Sequence, residues 1–173
     1  MELHGQSIAV LAEDWFEDLE FWYPFLRLRE AGAHVVSVGT GPSSHRGKHG
    51  LTVRPMRTIE QVEAAGFDAV VIPGGYAPDR LRRHRSVIEF VRGMADAGAV
   101  VAFICHAGWV PASAGILHDR QVTSFFSIRD DLHNAGARWI DEPVVRDGNL
   151  ISSRGPDDLP QFCRAIIERL AGL

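Results

Sequence analysis

Cys105 is the strongest candidate for a reactive side chain in this sequence. It directly follows the apolar run Val100–Ile104, which is typical of a buried strand, and it precedes His106 and a helix-compatible segment. A side chain on such a tight strand-to-helix turn lies at the carboxyl edge of a sheet, next to the positive end of the following helix. This placement predicts a nucleophilic thiol with a lowered pKa. An inert cysteine in the hydrophobic core is the alternative that spacing alone leaves open.

Two further groups are predicted to reach the same sheet edge. Glu17 lies a few residues beyond the apolar strand Ile8–Ala12, so it is expected to be the main carboxylate near the thiol. Alternatively, Glu17 is only an acid at a helix N-terminus, suited to the helix dipole. Gly74 and Gly75 follow the strand Ala69–Ile72 and place bare backbone N–H groups there, as an oxyanion hole requires. A plain turn is the alternative for this glycine pair.

The eight histidines offer one candidate base. His106 is next to the thiol in sequence, although neighbours on a tight turn often point in different directions. His45 and His49 are four residues apart in a glycine-rich loop, which is too little to define a zinc site. The sequence therefore predicts neither a metal nor a cofactor.

A basic patch and a second cysteine have structural explanations. The run from Arg80 to Arg85 is interpreted as a solvated face or a subunit contact, because it belongs to an acidic chain. Cys163 shares a helical phase with Leu159 and Ile166, which predicts core packing.

The order of apolar segments indicates which elements position these residues. Short strand-like runs alternate with longer helical ones, which predicts βα units around a mostly parallel sheet. Asp147-Gly148 predicts a hairpin turn, and Pro24 is expected to kink or interrupt the first helix. Predicted strands are Ile8–Ala12, Val35–Val38, Ala69–Ile72 and Val100–Ile104; predicted helices are Glu17–Ala31, Ile59–Ala65, Val87–Ala97, a segment from Ser127 to near Gly136, and one from near Pro156 to the end.

Composition narrows the class of protein. The chain has 173 residues, of which 46% are hydrophobic and 23% charged, so it is expected to be one globular domain rather than a disordered or fibrous protein. Its 18 Lys and Arg against 22 Asp and Glu give a net charge of −4, which argues against a nucleic acid or an anionic membrane as partner. Only two cysteines and no leader-like N-terminus predict a cytoplasmic, reducing location. The uncharged stretch 97–117 contains Pro111 and three glycines, so it is interpreted as a buried strand and helix rather than a membrane span.

Six motifs occur in order along nearly the whole chain. They are Phe16-Glu17-Asp18-Leu19-Glu20, Gly47-Lys48-His49-Gly50, Pro73-Gly74-Gly75 followed by Ala77-Pro78, Ile104-Cys105-His106, Ser113-Ala114-Gly115 and Ser152-Ser153-Arg154. With these motifs the chain resembles the PfpI-type intracellular cysteine hydrolases, relatives of the parkinsonism-associated deglycase and of glyoxalase III in the class I glutamine-amidotransferase-like superfamily. The resemblance implies an α/β fold, a flavodoxin-like three-layer sandwich with a mostly parallel central sheet and a small β-hairpin, as a single domain over residues 1–173.

The resemblance also implies roles for the candidate residues. Cys105 is then the nucleophile, Glu17 hydrogen-bonds its sulfur, and the backbone of Gly75 and His106 forms the oxyanion hole. The His106 side chain is the base, oriented by an acid on a neighbouring subunit, which implies a homodimer or a larger homo-oligomer. That acid is Asp79 in this chain, one methylene shorter than the glutamate usual in the family.

Two more positions depart from the family pattern, and two functions are expected. Ala107 replaces the family's glycine after Cys-His, and Phe125 stands where several relatives carry tyrosine.

The first expected function is a cofactor-free cysteine enzyme of stress protection, acting on small carbonyl compounds or on peptide and protein adducts, with a peptidase label in the family. The alternative is a redox-sensing or chaperone-like protein in which Cys105 becomes oxidised.

Overall fold

A seven-stranded, mostly parallel sheet forms the centre of the fold in the computed structural model, which describes residues 2–173. Strands from the first part of the chain lie together on one side of the sheet and strands from the later part lie on the other, with β10 and β11 forming the one antiparallel pair among the described strands of this sheet. In chain order the strands are β1 (Ser7–Ala12), β2 (His34–Gly39), β3 (His45–Arg46), β4 (Thr52–Val53), β5 (Arg57–Thr58), β6 (Ala69–Ile72), β7 (Val100–Ile104), β8 (Gln121–Val122), β9 (Arg138–Trp139), β10 (Val144–Asp147) and β11 (Leu150–Ser153). Across the large sheet the order is β10-β11-β7-β6-β1-β2-β5, whereas β3 pairs with β4 and β8 with β9 in two small sheets.

Helices cover both faces of the sheet. In chain order they are α1 (Asp18–Glu30), α2 (Ala77–Leu81), α3 (Arg85–Asp96), α4 (Trp109–Ser113), α5 (Arg129–Asn134) and α6 (Leu159–Ala171). The helices α1 and α6 pack on one face, and α3, α4 and α5 pack on the other. The protein is therefore a three-layer α/β sandwich with a mostly parallel sheet, as the sequence predicts.

Alternating side chains of β1 supply both hydrophobic cores. Ile8 and Val10 belong to the core under α1 and α6, whereas Ala9 and Leu11 belong to the core on the opposite face. A strand with both faces buried is expected to be apolar throughout, and all of these side chains are at most 1% exposed. Each fully buried Val, Leu or Ile side chain contributes roughly 1.5–3 kcal/mol, so burial on both faces stabilises β1 in the sheet.

Several predicted elements differ in detail from the observed ones. Helix α1 runs from Asp18 to Glu30 with Pro24 buried inside it, so Pro24 does not interrupt the helix. The segment predicted as one helix over 59–65 forms two short 3₁₀ turns, because Val62 and Glu63 between them are extended. The predicted hairpin forms, but its two turn residues are 148 and 149, since Asp147 pairs with Leu150.

Other expectations from the pattern are met. The strands Ala69–Ile72 and Val100–Ile104 have the predicted bounds. Cys163 lies 1% exposed in the core under α6, and burial raises the pKa of its thiol to about 12. None of the helices in residues 2–173 has the length and apolar character needed to cross a membrane.

The parallel arrangement brings three chain segments to one edge of the sheet. Strands β1, β6 and β7 are neighbours and run in the same direction. Their carboxyl ends are followed by Glu17, by Gly74 and Gly75, and by Cys105. The candidate residues of three separate motifs therefore meet at the position where ligands bind in open α/β sheets.

Candidate active site

Cys105 occupies a strained turn at the end of β7. Its backbone φ is +61°, in the left-handed region that a non-glycine residue rarely adopts. A short 3₁₀ turn from Cys105 to Gly108 then leads into α4. A Cβ added to Gly108 would lie 3.0 Å from Cδ1 of Leu132, so a larger residue there would require the Leu132 side chain to shift. The turn holds the Cys105 side chain at the floor of a pocket, 8% exposed.

Two backbone N–H groups point at the sulfur of Cys105. They belong to Gly75 and His106, and both hydrogen bonds favour the thiolate. Gly75 has a φ of +77°, and a Cβ there would lie 2.4 Å from the carbonyl oxygen of Trp15. The N–H of Gly74 has another partner, Oε2 of Glu20 at 2.7 Å. Of the two glycines predicted for an oxyanion hole, Gly75 thus lies at the sulfur and Gly74 positions the acid.

Glu20, rather than Glu17, is the carboxyl group beside the thiol. Its side chain is completely buried next to Cys105, and Oε1 has no hydrogen-bond partner among residues 2–173. Glu17 is the N-cap of α1 and accepts a hydrogen bond from the backbone N–H of Glu20 at 2.9 Å. The expected contact between Glu17 and the sulfur is therefore wrong. Because the helix begins directly after Glu17, that carboxylate turns back to the helix end, and the acid three residues later faces the sheet edge.

Glu20 and Cys105 form a coupled acidic pair. Burial, together with the nearby Glu17 carboxylate, raises the pKa of Glu20 to about 8. Burial and the Glu20 carboxylate raise the pKa of Cys105 to about 12. The sequence-based expectation of a lowered thiol pKa is therefore wrong in direction, since burial outweighs the N–H donors at the sulfur. Since the pKa of Glu20 is the lower of the two, Glu20 ionises before Cys105.

His106 turns its ring toward the thiol. Its Nδ1 lies 3.2 Å from Sγ of Cys105, and its Nε2 lies 3.1 Å from Oγ of Ser127. Phe125 stacks on the imidazole with ring centroids 5.1 Å apart and an interplanar angle of 27°. Burial, together with the positive charge of Lys48, lowers the pKa of His106. A neutral imidazole in this position can accept the thiol proton at Nδ1 while Nε2–H donates to Ser127.

Asp79 does not reach His106 within one chain. It lies in the first turn of α2, about half exposed, and pairs with Arg83 one turn later. The partner of His106 within the chain is Ser127, a residue that the sequence indicates only as the start of a helix. The neighbouring Arg82 donates from Nε to Oγ of Ser113 at 2.9 Å, so part of the basic run packs inward against α4.

A loop anchored by a buried acid provides the cationic side of the pocket. Asp18, 3% exposed, accepts hydrogen bonds from the backbone N–H groups of His49 and Leu51, both at 2.8 Å. A Cβ on Gly47 would lie 2.5 Å from the same carboxylate, so only glycine fits there. The loop places the Lys48 ammonium 5.4 Å from the ring of Tyr76 and His49 Nε2 3.5 Å from Glu17. Among residues 2–173, Lys48 has no carboxylate partner within 4 Å.

The site opens into a pocket of about 520 Å³. It is large enough for a small molecule or a side chain carrying an adduct. Arg154 on the far wall is held by Asp141 and Asp158, so its charge is already balanced. The pocket is lined by Glu17, Glu20, Lys48, His49, Gly75, Tyr76, Cys105, His106, Phe125 and the segment from Arg154 to Asp158.

Sequence comparison identifies the family to which this fold and site correspond. The DJ-1/PfpI family matches residues 6–169, and the chain belongs to that family. It is 43% identical over 164 residues to Deglycase PfpI of Pyrococcus furiosus, covering 95% of this chain and 99% of that protein. Identity is 39% over 167 residues to Putative cysteine protease YraA of Bacillus subtilis, covering 96% and 99%. Protein/nucleic acid deglycase 2 of Escherichia coli is 37% identical over 171 residues, covering 96% and 98%.

Solved structures confirm the fold. A two-domain protein of Anabaena variabilis, containing DJ-1/ThiJ/PfpI-like and ferritin-like domains, superimposes with a TM-score of 0.94 at 42% identity, over 95% of this chain and 48% of that one. DJ-1beta of Drosophila melanogaster gives a TM-score of 0.91 at 32% identity, over 97% of this chain and 91% of that one. The predicted flavodoxin-like fold and the resemblance to the PfpI family are thus both confirmed.

Proposed function

We propose that the protein is a thiol-dependent deglycase that removes reactive carbonyl adducts. The observation that carries the proposal is the set of groups at one sulfur: two backbone N–H donors, the Glu20 carboxyl, and His106 Nδ1 at 3.2 Å. The names of the relatives support a hydrolase-type enzyme, since they include deglycases and a putative cysteine protease. Protein or nucleic-acid adducts are therefore the substrate classes to test.

The chemistry begins with addition of the sulfur to a carbonyl carbon. The Cys105 proton passes to ionised Glu20, directly or through His106, and a bond forms between Sγ and carbon. The carbonyl π electrons move to oxygen, where the N–H groups of Gly75 and His106 stabilise the negative charge. Protonation of that oxygen by Glu20 gives a neutral hemithioacetal. Glu20 suits this transfer because its pKa of about 8 lets it hold and release a proton near neutral pH.

The pocket supports an anionic or polarised substrate group at its open side. Lys48 presents its ammonium group there without a carboxylate partner among the described residues. Tyr76 and Phe125 provide partly exposed aromatic surface on which a small carbonyl compound or a modified side chain can rest. The charge and the aromatic surface together favour a small, polar carbonyl compound as the substrate over one with a long apolar chain.

The role of Asp79 requires a second subunit. Asp79 is about half exposed and lies on the short helix that directly follows the Gly75 segment. In a homo-oligomer it contacts His106 of the neighbouring subunit after releasing Arg83, and it supplements Ser127 as the group that orients the imidazole. The family resemblance supports this arrangement.

A redox-sensing role is the second candidate. The same N–H groups of Gly75 and His106, together with protonated Glu20, would stabilise the oxygen atoms of a Cys105 sulfinate formed by peroxide. Turnover separates the two functions, because a sensor needs oxidation of the thiol and no catalysis.

The deciding experiment compares three substrates with the purified full-length protein. These are methylglyoxal, a peptide glycated by methylglyoxal, and the unmodified peptide. We expect turnover of the first two, lost in Cys105→Ala and retained in the matched control Cys163→Ala. Cleavage of the unmodified peptide would assign a peptidase. Oxidation of Cys105 by peroxide without any turnover would assign the sensor.

A further inference from the structure

A second cluster of charged and metal-binding side chains lies outside the pocket of Cys105. It contains Glu13 directly after β1, Asp14 next to it, and His45 on β3. One ligand atom from each of these residues lies within 4.8 Å of the others. The pocket described above is lined by none of the three. The cluster therefore needs an explanation of its own.

The distances fit a common ion better than a simple ion pair. His45 Nδ1 lies 3.3 Å from Oε1 of Glu13 and 3.7 Å from Oδ1 of Asp14. A charge-assisted N–H···O bond is usually about 2.7–2.9 Å long. Ligand atoms bound about 2.1 Å from a tetrahedral zinc ion lie about 3.4 Å from one another. The imidazole is thus spaced from both oxygens as two ligands are spaced across one ion.

The ligands are held in place before any ion binds. Backbone N–H groups fix both carboxylates: Asp14 N donates to Glu13 at 2.7 Å, and Arg46 N donates to Asp14 at 2.9 Å. His45 is 6% exposed, and its Nε2 has no hydrogen-bond partner among residues 2–173. Its Nδ1 therefore carries the polar contacts of a nine-tenths buried ring, and these point into the cluster.

The carboxylate of Glu13 is buried, and a further histidine lies close to it. Glu13 is only 6% exposed, and its Oε2 also accepts a hydrogen bond from Oγ1 of Thr40. A half-exposed histidine, His84, lies nearby at the start of α3, with Nε2 3.9 Å from Oε2 of Glu13. Its exposed side chain is free to turn toward the same point.

We propose that Glu13, Asp14 and His45 bind a Zn²⁺ ion, with His84 as the fourth ligand. Two imidazoles and two carboxylates suit this ion of borderline hardness. The ion would join the turn after β1, the β3 strand and the start of α3. His45 also directly precedes the loop that carries Lys48 and His49 into the pocket, so the bound ion would stiffen that loop.

The test uses Co²⁺ as a spectroscopic probe of the zinc site in untagged, chelator-treated full-length protein. All variants carry Cys105→Ala, so that the thiol cannot supply a competing site. We expect one Co²⁺ per chain with the visible absorption of tetrahedral coordination, displaced by Zn²⁺. The exposed-ligand variants Asp14→Asn and His84→Ala should each bind at least about tenfold more weakly. His118→Gln is the matched control, because it alters another exposed His–Asp pair and should leave the affinity unchanged.

The variant His45→Gln should abolish the tetrahedral spectrum. Because His45 is buried, its circular dichroism spectrum and melting temperature are compared with those of the parent. If it fails to fold, the two exposed-ligand variants still decide the question. Absence of Co²⁺ binding in the parent, or an affinity that is the same in Asp14→Asn, His84→Ala and the control, would overturn the proposal and leave the cluster as an ion pair. Neither result depends on turnover at Cys105.

Discussion

The carboxyl group of Glu20 is buried beside the thiol of Cys105, whereas Glu17 caps the helix on which Glu20 lies. Two acids three residues apart therefore act on the sulfur in different ways. In the mechanism proposed above Glu20 exchanges a proton with the sulfur, and the charge of Glu17 raises the pKa of Glu20. The different roles of Glu17 and Glu20 can be tested by the pH dependence of catalysis.

Removing Glu17 and removing Glu20 should shift the pH dependence of kcat/KM in opposite directions. The active form of the pair has lost one proton, so kcat/KM should rise with pH to a plateau above an apparent pKa of about 8. In Glu17→Gln the repulsion that raises the pKa of Glu20 disappears, and the rise should move to lower pH. In Glu20→Gln the buried thiol must ionise alone, and the rise should move to higher pH. Profiles for the three proteins, measured with methylglyoxal from pH 5 to 10, check this; equal shifts in both variants would contradict it.

The backbone strain at Cys105 should be visible in stability. A left-handed conformation costs a residue with a Cβ roughly 1–2 kcal/mol, and glycine avoids this cost. We therefore expect Cys105→Gly to be more stable than Cys105→Ala by about 1 kcal/mol in urea unfolding. The same pair of substitutions at Cys163 in helix α6 should give the opposite order, because glycine weakens a helix interior by about 1 kcal/mol. The same order at both sites would show that the turn is unstrained.

Ser127 should support the function of His106 without contacting substrate. Its Oγ lies 3.1 Å from Nε2 of His106 and orients the ring toward the thiol. Loss of one neutral hydrogen bond is worth about 0.5–1.5 kcal/mol, so Ser127→Ala should lower kcat roughly 2- to 10-fold with little change in KM. Ser127→Thr keeps the hydroxyl and should restore most of the rate. An unaffected kcat in Ser127→Ala would remove this residue from the site.

Native alkylation should distinguish the two thiols. Cys105 lines the pocket, whereas Cys163 is 1% exposed and packed in the core under α6. The pKa of each thiol is raised to about 12, so access to the reagent is what distinguishes them. Iodoacetamide at pH 8 should modify Cys105 alone until the protein is unfolded. Peptide mass spectrometry after short labelling times measures this, and rapid modification of Cys163 would contradict the packing of α6.

Assembly should control activity if Asp79 acts across a subunit interface. Dilution into the monomeric range should then reduce the specific activity, and Asp79→Asn should lower it where the protein is assembled but leave the activity of the monomer unchanged. Arg83→Gln is the control, because it removes the partner of Asp79 within the chain and leaves the acid free. Analytical ultracentrifugation in parallel with the assay gives the oligomeric state. A fully active monomer would leave Ser127 as the only group that orients His106.

The meeting of three motifs at one sheet edge could be predicted because it follows from strand order alone. Apolar runs locate β1, β6 and β7, and parallel strands bring the residues after them together. The choice between Glu17 and Glu20 could not be predicted in this way. It depends on which residue starts α1, and a shift of three residues turns a carboxylate from the cap to the buried side. The two acids are three residues apart, which is the spacing of an N-cap and a residue in the first turn of a helix. This spacing is the one sequence feature that could have indicated their different roles.

Contacts between segments that are distant in sequence could not be predicted from the sequence, for a different reason. Ser127 reaches His106 only because the segment after β8 returns across the carboxyl edge, and nothing in its local pattern indicates that path. The direction of the Cys105 pKa shift also cannot be predicted from the sequence. A turn at a helix end suggests stabilisation of the thiolate, but the depth of the sulfur below the surface is a property of the folded packing.

The outer strands of the large sheet have a consequence for the fate of the protein at high concentration. At one side the sheet ends in β5, which has only two residues, Arg57 and Thr58. At the other it ends in the four-residue β10, which carries Arg146 and Asp147 and runs antiparallel to its neighbour. Short and charged outer strands make poor templates for strand addition by another chain. The native fold is thereby protected against edge-to-edge aggregation, even though its central strands are apolar.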